Sequence, residues 1–135
     1  MPTHELSNQD IRWLSLAFDL AQSSPYPKPG LRVGAAIIYR GKMVGCGVNT
    51  MKSHPYMAKI NKRSNCLHAE IAAILAAQKV EYNPSRATIY VARSRRNHAG
   101  VSYPCEFCWP VIQHVGIGTI VCYDRSGNPQ KLYCE

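Results

Sequence analysis

Nowhere in these 135 residues does an apolar run approach the ~20 residues that a membrane helix needs. The polar stretch from Met1 to Asp10 holds no signal-peptide core either. Both absences point to a soluble, cytoplasmic protein with no membrane partner. Internal repeats and shifts of composition are also missing, so a single domain over residues 1–135 is expected, large enough to bury its own core. Acidic residues are scarce: Asp and Glu number 8 against 16 Lys and Arg, for a formal charge of +8 and a pI near 9.4. Such a balance favours anionic partners, a nucleotide phosphate or a single-stranded polynucleotide, although it serves solubility equally well. Six cysteines are present, but the chain is larger than the usual stapled scaffold and two of them stand at metal-ligand spacing. Free thiols in a reducing compartment fit better than disulfides.

Read in order, Ser7 and Asp10 form a capping box ahead of Ile11, Leu14, Phe18 and Ala21 at helical spacing, and the helix should stop at Ser23-Ser24-Pro25. Pro25, Pro27, Pro29 and Gly30 then impose a stiff loop. Val33 to Tyr39 reads as a doubly buried strand and Met43 to Val48 as its hairpin partner across Arg40-Gly41. Gly34, Gly45 and Gly47 would weaken those strands unless another backbone or a ligand approaches them. A basic loop with at most one helical turn covers Thr50 to Asn65, and Leu67 to Ala77 is an alanine-rich helix able to lie close to a sheet. Ala87 to Ala92 is the next strand and Ser94 to Tyr103 a loop; a helix should start at Pro104, run to about Val115 and be capped by Gly116. Ile117 to Tyr123 and an antiparallel Lys131 to Cys134 complete a mixed sheet in a layered α/β domain.

The chemistry gathers in Cys66-Leu67-His68-Ala69-Glu70 and Pro104-Cys105-Glu106-Phe107-Cys108. His68, Cys105 and Cys108 make a three-ligand zinc set that leaves the fourth tetrahedral position open, as catalysis requires. Glu70, two residues past the histidine, is placed to move protons as the catalytic residue. Basic segments precede both motifs: Lys52, Lys59, Lys62 and Arg63 before the histidine, Arg93, Arg95 and Arg96 before the cysteines. Other readings compete at this stage. Cys105 and Cys108 match a redox C-x-x-C; Cys66 as a fourth ligand would close the metal site; or Cys66, like Cys46, Cys122 and Cys134, is a small buried hydrophobe. H-x-E followed by P-C-x-x-C is the general signature of zinc deaminases.

Together these motifs resemble the cytidine and deoxycytidylate deaminase superfamily. Arg32-Val33-Gly34-Ala35-Ala36 leading to Gly45-Cys46-Gly47-Val48-Asn49 is similar to the family's first hairpin, and Gly116-Ile117 to Tyr123 fits its fourth strand. The resemblance implies a three-layer α/β/α fold with a mixed five-stranded sheet, a Zn2+ cofactor, a homo-oligomer, and hydrolysis of a cytosine nucleoside or nucleotide to its uracil form with release of ammonia. It also implies that Asn49 binds the sugar and that the backbone at Ala69 and the segment Ser102 to Pro104 line the base pocket. Without the resemblance, Asn49 is equally an ordinary strand-ending residue. His54 has two readings, a substrate or phosphate contact and a polar loop residue. Asn49-Thr50-Met51-Lys52 departs from the N-V-E-N run of free-cytidine deaminases. A deaminase of single-stranded DNA or RNA and a non-catalytic zinc protein of the same fold are the alternatives.

Overall fold

The computed structural model describes residues 5–51, 54–60, 66–96 and 98–134. Helix α1 spans Asn8–Gln22, and its capping box forms as the sequence predicts: the Asp10 N–H donates to Ser7 Oγ and the Ser7 N–H to the Asp10 carboxylate, each at 3.0 Å. The buried face is Leu14, Ala17 and Ala21, whereas Ile11 is 43% exposed. This rotation from the expected stripe follows from close packing: a side chain at Gly34 would collide with the α1 backbone at Ala17 and Ala21, so the small residues of the helix must face the sheet.

Strands β1 (Arg32–Tyr39) and β2 (Lys42–Val48) form the expected hairpin, turning through Arg40 and Gly41, both at positive φ as a two-residue hairpin loop requires. Helix α2 (Pro55–Ile60) supplies a turn and a half within the basic loop, and Lys52, Lys62 and Arg63 of that loop lie outside the described residues. Helix α3 (Ala69–Ala77) follows, then β3 (Thr88–Arg95), β4 (His98–Gly100), α4 (Cys108–Val115), β5 (Thr119–Tyr123) and β6 (Pro129–Tyr133). The five expected strands lie in the order β2-β1-β3-β5-β6, with β3 and β5 parallel and the other pairs antiparallel. The short β4 is an addition: it pairs with the end of β3 inside what reads in sequence as a loop.

Alternation along the strands sorts the core onto the two faces of the sheet. Ala36, Ile38, Tyr90, Ala92 and Val121 pack against α1, while Ala35, Ile37, Ile89, Val91 and Ile120 pack with α3 and α4. The three layers are therefore α1, the sheet, and α3 with α4. Gly45 and Gly47 answer the question their positions raise: a Cβ on Gly47 would lie 2.5 Å from Ala72 Cβ and 2.8 Å from Ala73 N, so β2 carries glycine because the α3 backbone rests on it. Among the described residues no helix is long and apolar enough to cross a membrane.

One correction concerns Pro104, which precedes α4 rather than starting it. Cys105 O accepts from the N–H groups of Cys108 (3.1 Å) and Trp109 (2.9 Å), and this turn delays the helix to Cys108. Pro110, in the first turn of α4, is the proline that fits where no helical N–H partner exists. A second correction concerns Cys46. Its neighbours Gly45 and Gly47 face α3, so Cys46 points the opposite way on the edge strand and is exposed, while Cys122 is buried.

Two tertiary ties matter below. Thr50 and Leu67 exchange both backbone hydrogen bonds, at 3.1 and 2.9 Å, and so close the intervening chain at its neck with Asn49 and His68 just outside. Asp10 joins three elements: beyond its cap it accepts from Tyr90 Oη at 2.7 Å and from Lys131 Nζ at 3.0 Å. Burial by itself would raise the Asp10 pKa, but the Ser7 N–H, the Tyr90 hydroxyl and Lys131 outweigh it and hold the carboxyl below its ordinary value. A depressed carboxyl contributes stability that is present above the unfolded-state pKa, about 3.9, and is lost as pH falls through the folded value. Asp10→Asn should accordingly cost about 2–3 kcal/mol at pH 7. The gap from wild type should narrow below about pH 4 in urea denaturation series.

Candidate metal centre

His68 caps α3 in an extended conformation, which holds its ring off the helix end. Its Nδ1 lies 3.3 Å from Cys108 Sγ and 3.5 Å from Cys105 Sγ. Zinc–nitrogen bonds of about 2.0–2.1 Å and zinc–sulfur bonds of about 2.3 Å, set at tetrahedral angles, put N and S about 3.5 Å apart. The three side chains therefore have the separations of ligands around one zinc ion. Among the described residues this is the only group of three or more His, Cys, Asp or Glu side chains that could hold a metal, and Cys66 is outside it. Cys66 instead lines the adjoining cleft. Within that set of three the fourth tetrahedral position is left open.

The turn that displaces Pro104 from the helix also aims the sulfurs. Cys105 lies in it, half-buried, and Cys108 opens α4, fully buried. The two thiols act on each other's acidity. The Cys108 hydrogen bond, with help from His68 and against burial, draws Cys105 down to about 3, while that same bond and burial push Cys108 well above the usual thiol range. His68 is raised, chiefly by its hydrogen bond with Cys105. A dication fits this anionic donor set, and its binding releases the retained proton.

Glu70 is the second residue of α3 and only 6% exposed. Burial raises its carboxyl, against the opposing pull of its own backbone N–H and of the Cys108 thiol. The carboxyl therefore sits beside the ligand set, outside the metal-holding cluster, with its pKa raised by burial.

Both face a cleft of about 320 Å3, whose walls include Asn49, Ala69, Arg93, Ser102 and Tyr103. The sequence-predicted residues thus meet in one place, but their side chains differ in what they still offer. Asn49 Oδ1 accepts from the Val33 N–H and from Ser24 Oγ, both at 2.9 Å, and Nδ2 donates to Leu31 O at 2.7 Å. That network fixes the amide orientation and leaves the second Nδ2–H for a ligand hydroxyl. Ser102 Oγ donates to Val91 O at 2.6 Å and accepts from the Tyr123 N–H at 2.8 Å, so its hydroxyl ties β3 to β5 while its backbone lines the cleft. The Ala69 N–H belongs to the first turn of α3, where no helical acceptor exists. His54 is not part of the cleft wall; its Nδ1 accepts from the Tyr56 N–H at 3.0 Å and caps α2.

Sequence reasoning missed Ser24, which is buried beneath Asn49 and which no sequence signal marks. Tyr103, inside the segment expected to line the pocket, is 45% exposed at the cleft and stacked on Trp109 with ring centroids 5.5 Å apart.

Known proteins share this architecture. The chain superimposes on a cytidine deaminase from Burkholderia pseudomallei with a TM-score of 0.67 at 20% identity, covering 95% of this chain and 93% of that one. For the dCMP deaminase of cyanophage S-TIM5 the TM-score is 0.66 at 19% identity, with 90% and 87% covered. A guanine deaminase from Bacillus subtilis gives 0.55 at 22% identity, with 89% and 65% covered, so the fold alone does not select the base. No curated protein sequence matches. The family described as the cytidine and deoxycytidylate deaminase zinc-binding region matches residues 7–124, nearly the whole chain. The chain belongs to that family.

Proposed function

We propose that this protein is a zinc-dependent hydrolytic deaminase that converts the cytosine ring of a nucleoside or nucleotide, of the cytidine, deoxycytidine or dCMP type, to uracil with release of ammonia. The observation that carries this reading is an open His68–Cys105–Cys108 set with the buried Glu70 carboxyl beside it, facing one cleft. Two of the fold relatives are a cytidine deaminase and a dCMP deaminase, and the cyanophage enzyme has been solved with dCMP and dUMP.

His68, Cys105 and Cys108 would hold the zinc ion, which would supply Lewis acidity and make water ionisable near neutral pH. Glu70 takes a proton from the attacking water and passes it to ring N3, then delivers the second proton to the amine as the C4–N bond breaks. The water oxygen remains on C4 as the carbonyl, so cytosine plus water gives uracil plus ammonia. Asn49 Nδ2–H meets the sugar, the Ala69 N–H and the backbone at Ser102 border the ring, and Tyr103 covers its face.

The test is ammonia release by zinc-loaded protein over cytosine, adenine and guanine nucleosides, their phosphates, and oligonucleotides. Cytosine monomers should react, chelation should abolish the reaction and zinc should restore it. Turnover confined to purines or to oligonucleotides would replace this reading. Cys66→Ser should retain zinc; loss of the metal would mean that Cys66 closes the site and that the protein only binds zinc.

A further inference from the structure

Strand β3 changes character along its length. Ile89 and Val91 of its α3-facing side are buried in the core, and alternation places Arg93 and Arg95 next on that same side. The unexpected strand β4 extends the surface: His98 pairs with Arg95 and Gly100 with Arg93. Both arginine stems pass over Gly100: a Cβ there would be in ordinary contact with them, 3.5 Å from Arg95 Cδ and 3.6 Å from Arg93 Cδ. Arg93 is anchored by Nε, which donates to Gly30 O at 2.8 Å, so its terminal nitrogens remain for another partner.

Arg93 and Leu31 line both the cleft and a second cavity of about 800 Å3, whose wall also includes Lys28, Arg95, Arg96 and His98. Among the described residues no carboxylate lines that second cavity, and the one salt bridge is the distant Asp10–Lys131 pair. Four cationic side chains thus share a wall on which no described residue offers an anion. The repulsion is felt at Arg93, where burial first and Arg95 second lower the guanidinium pKa. Convergent, uncompensated cations on a cavity wall form a receptor for a phosphate.

Position identifies which phosphate. Leu31 O holds the Asn49 amide at 2.7 Å, so the sequence of contacts runs from Glu70 at the ring, through Asn49 at the sugar, to Leu31 and Arg93 at the basic cavity. We infer that the cavity bounded by Lys28, Arg93, Arg95 and Arg96 binds the 5′-phosphate of a mononucleotide whose base occupies the zinc cleft, making the substrate a nucleotide rather than a nucleoside. A strand of nucleic acid presents phosphates on both sides of its target base, whereas the described basic residues that line a cavity beside the cleft gather on one. This inference rests on the deaminase reading of the cleft and adds the class of its substrate.

Binding separates the two. Zinc-loaded Glu70→Gln protein, examined by calorimetry with deoxycytidine, dCMP, dCTP, inorganic phosphate and a cytosine-containing oligonucleotide, should prefer dCMP to deoxycytidine by about tenfold or more. Arg95→Ala combined with Arg96→Ala should bring that ratio toward unity, Lys28→Ala on its separate loop should lower it, and Arg40→Ala at the distant hairpin turn should not change it. Thermal melts confirm that each variant is folded. Equal binding of dCMP and deoxycytidine, a ratio insensitive to the arginine and lysine changes, or an oligonucleotide that outcompetes dCMP would each overturn the inference. Failure of the wild-type protein to deaminate any cytosine compound is a separate result, and it defeats the deaminase reading itself.

Discussion

Glu70→Gln should retain about one zinc per chain while ammonia release falls by roughly 10²–10⁴-fold, the usual contribution of a positioned acid–base group. The two measurements, metal content by elemental analysis and turnover by ammonia assay, separate holding the metal from moving the proton. Glutamine keeps the shape of the side chain and its place at the start of α3 but has no proton to exchange. Because Glu70 is buried beside the two thiols, its loss cannot be covered by bulk water reaching the same position. If Glu70→Gln turned over normally, the assignment of the proton shuttle would be wrong. If it lost zinc as well, Glu70 would be acting through the ligand set and not on the substrate. Loss of kcat with little change in KM is the expected signature of a group that acts in the transition state.

Gly47→Ala should destabilise the fold by about 1–3 kcal/mol and weaken zinc binding at the same time. The added methyl would meet Ala72 Cβ at 2.5 Å, Ala73 N at 2.8 Å and Ala69 O at 2.9 Å, which are backbone and short side-chain atoms of α3 with no rotamer to move aside. The helix must shift as a unit, and His68 and Glu70 travel with its N-terminal end. Chemical denaturation reads the first effect and a chelator competition the second. Gly41→Ala provides the contrast: nothing lies within 4 Å of its missing Cβ, so only the positive φ is penalised, by about 1 kcal/mol, with no effect on the metal expected. Equal zinc affinity in Gly47→Ala and wild type would show that the helix accommodates the methyl without moving its ligand.

The metal set was legible in the sequence because ligand chemistry permits few residue types at few spacings, and His68, Cys105 and Cys108 meet as expected. The Ser7–Asp10 cap was legible too, since both partners lie within one turn. What the sequence hid depends on distant atoms. Asp10 also binds Tyr90 and Lys131, and no local pattern announces a carboxylate that joins a helix to two strands. Strand β4 has three residues, one of them glycine, too few for alternation to appear; it exists because β3 runs on and offers it an edge. At Pro104 the choice of proline misplaced the helix start, because a turn closed by Cys105 O wins over the preference of proline for first turns. Asn49 and Ser102 both line the cleft, yet sequence alone could not reveal that their polar atoms already hold Ser24, Val33, Leu31, Val91 and Tyr123.

The Thr50–Leu67 bridge bears on how such a protein can change over time. By pinning both feet of the intervening segment, it keeps Asn49 and His68 at a fixed spacing whatever lies between them. Each doubling of a closed loop's length adds only about 0.6 kcal/mol of entropy cost. That segment is therefore a natural cassette: it can be lengthened, shortened or recoded while the His68, Cys105 and Cys108 set is inherited intact.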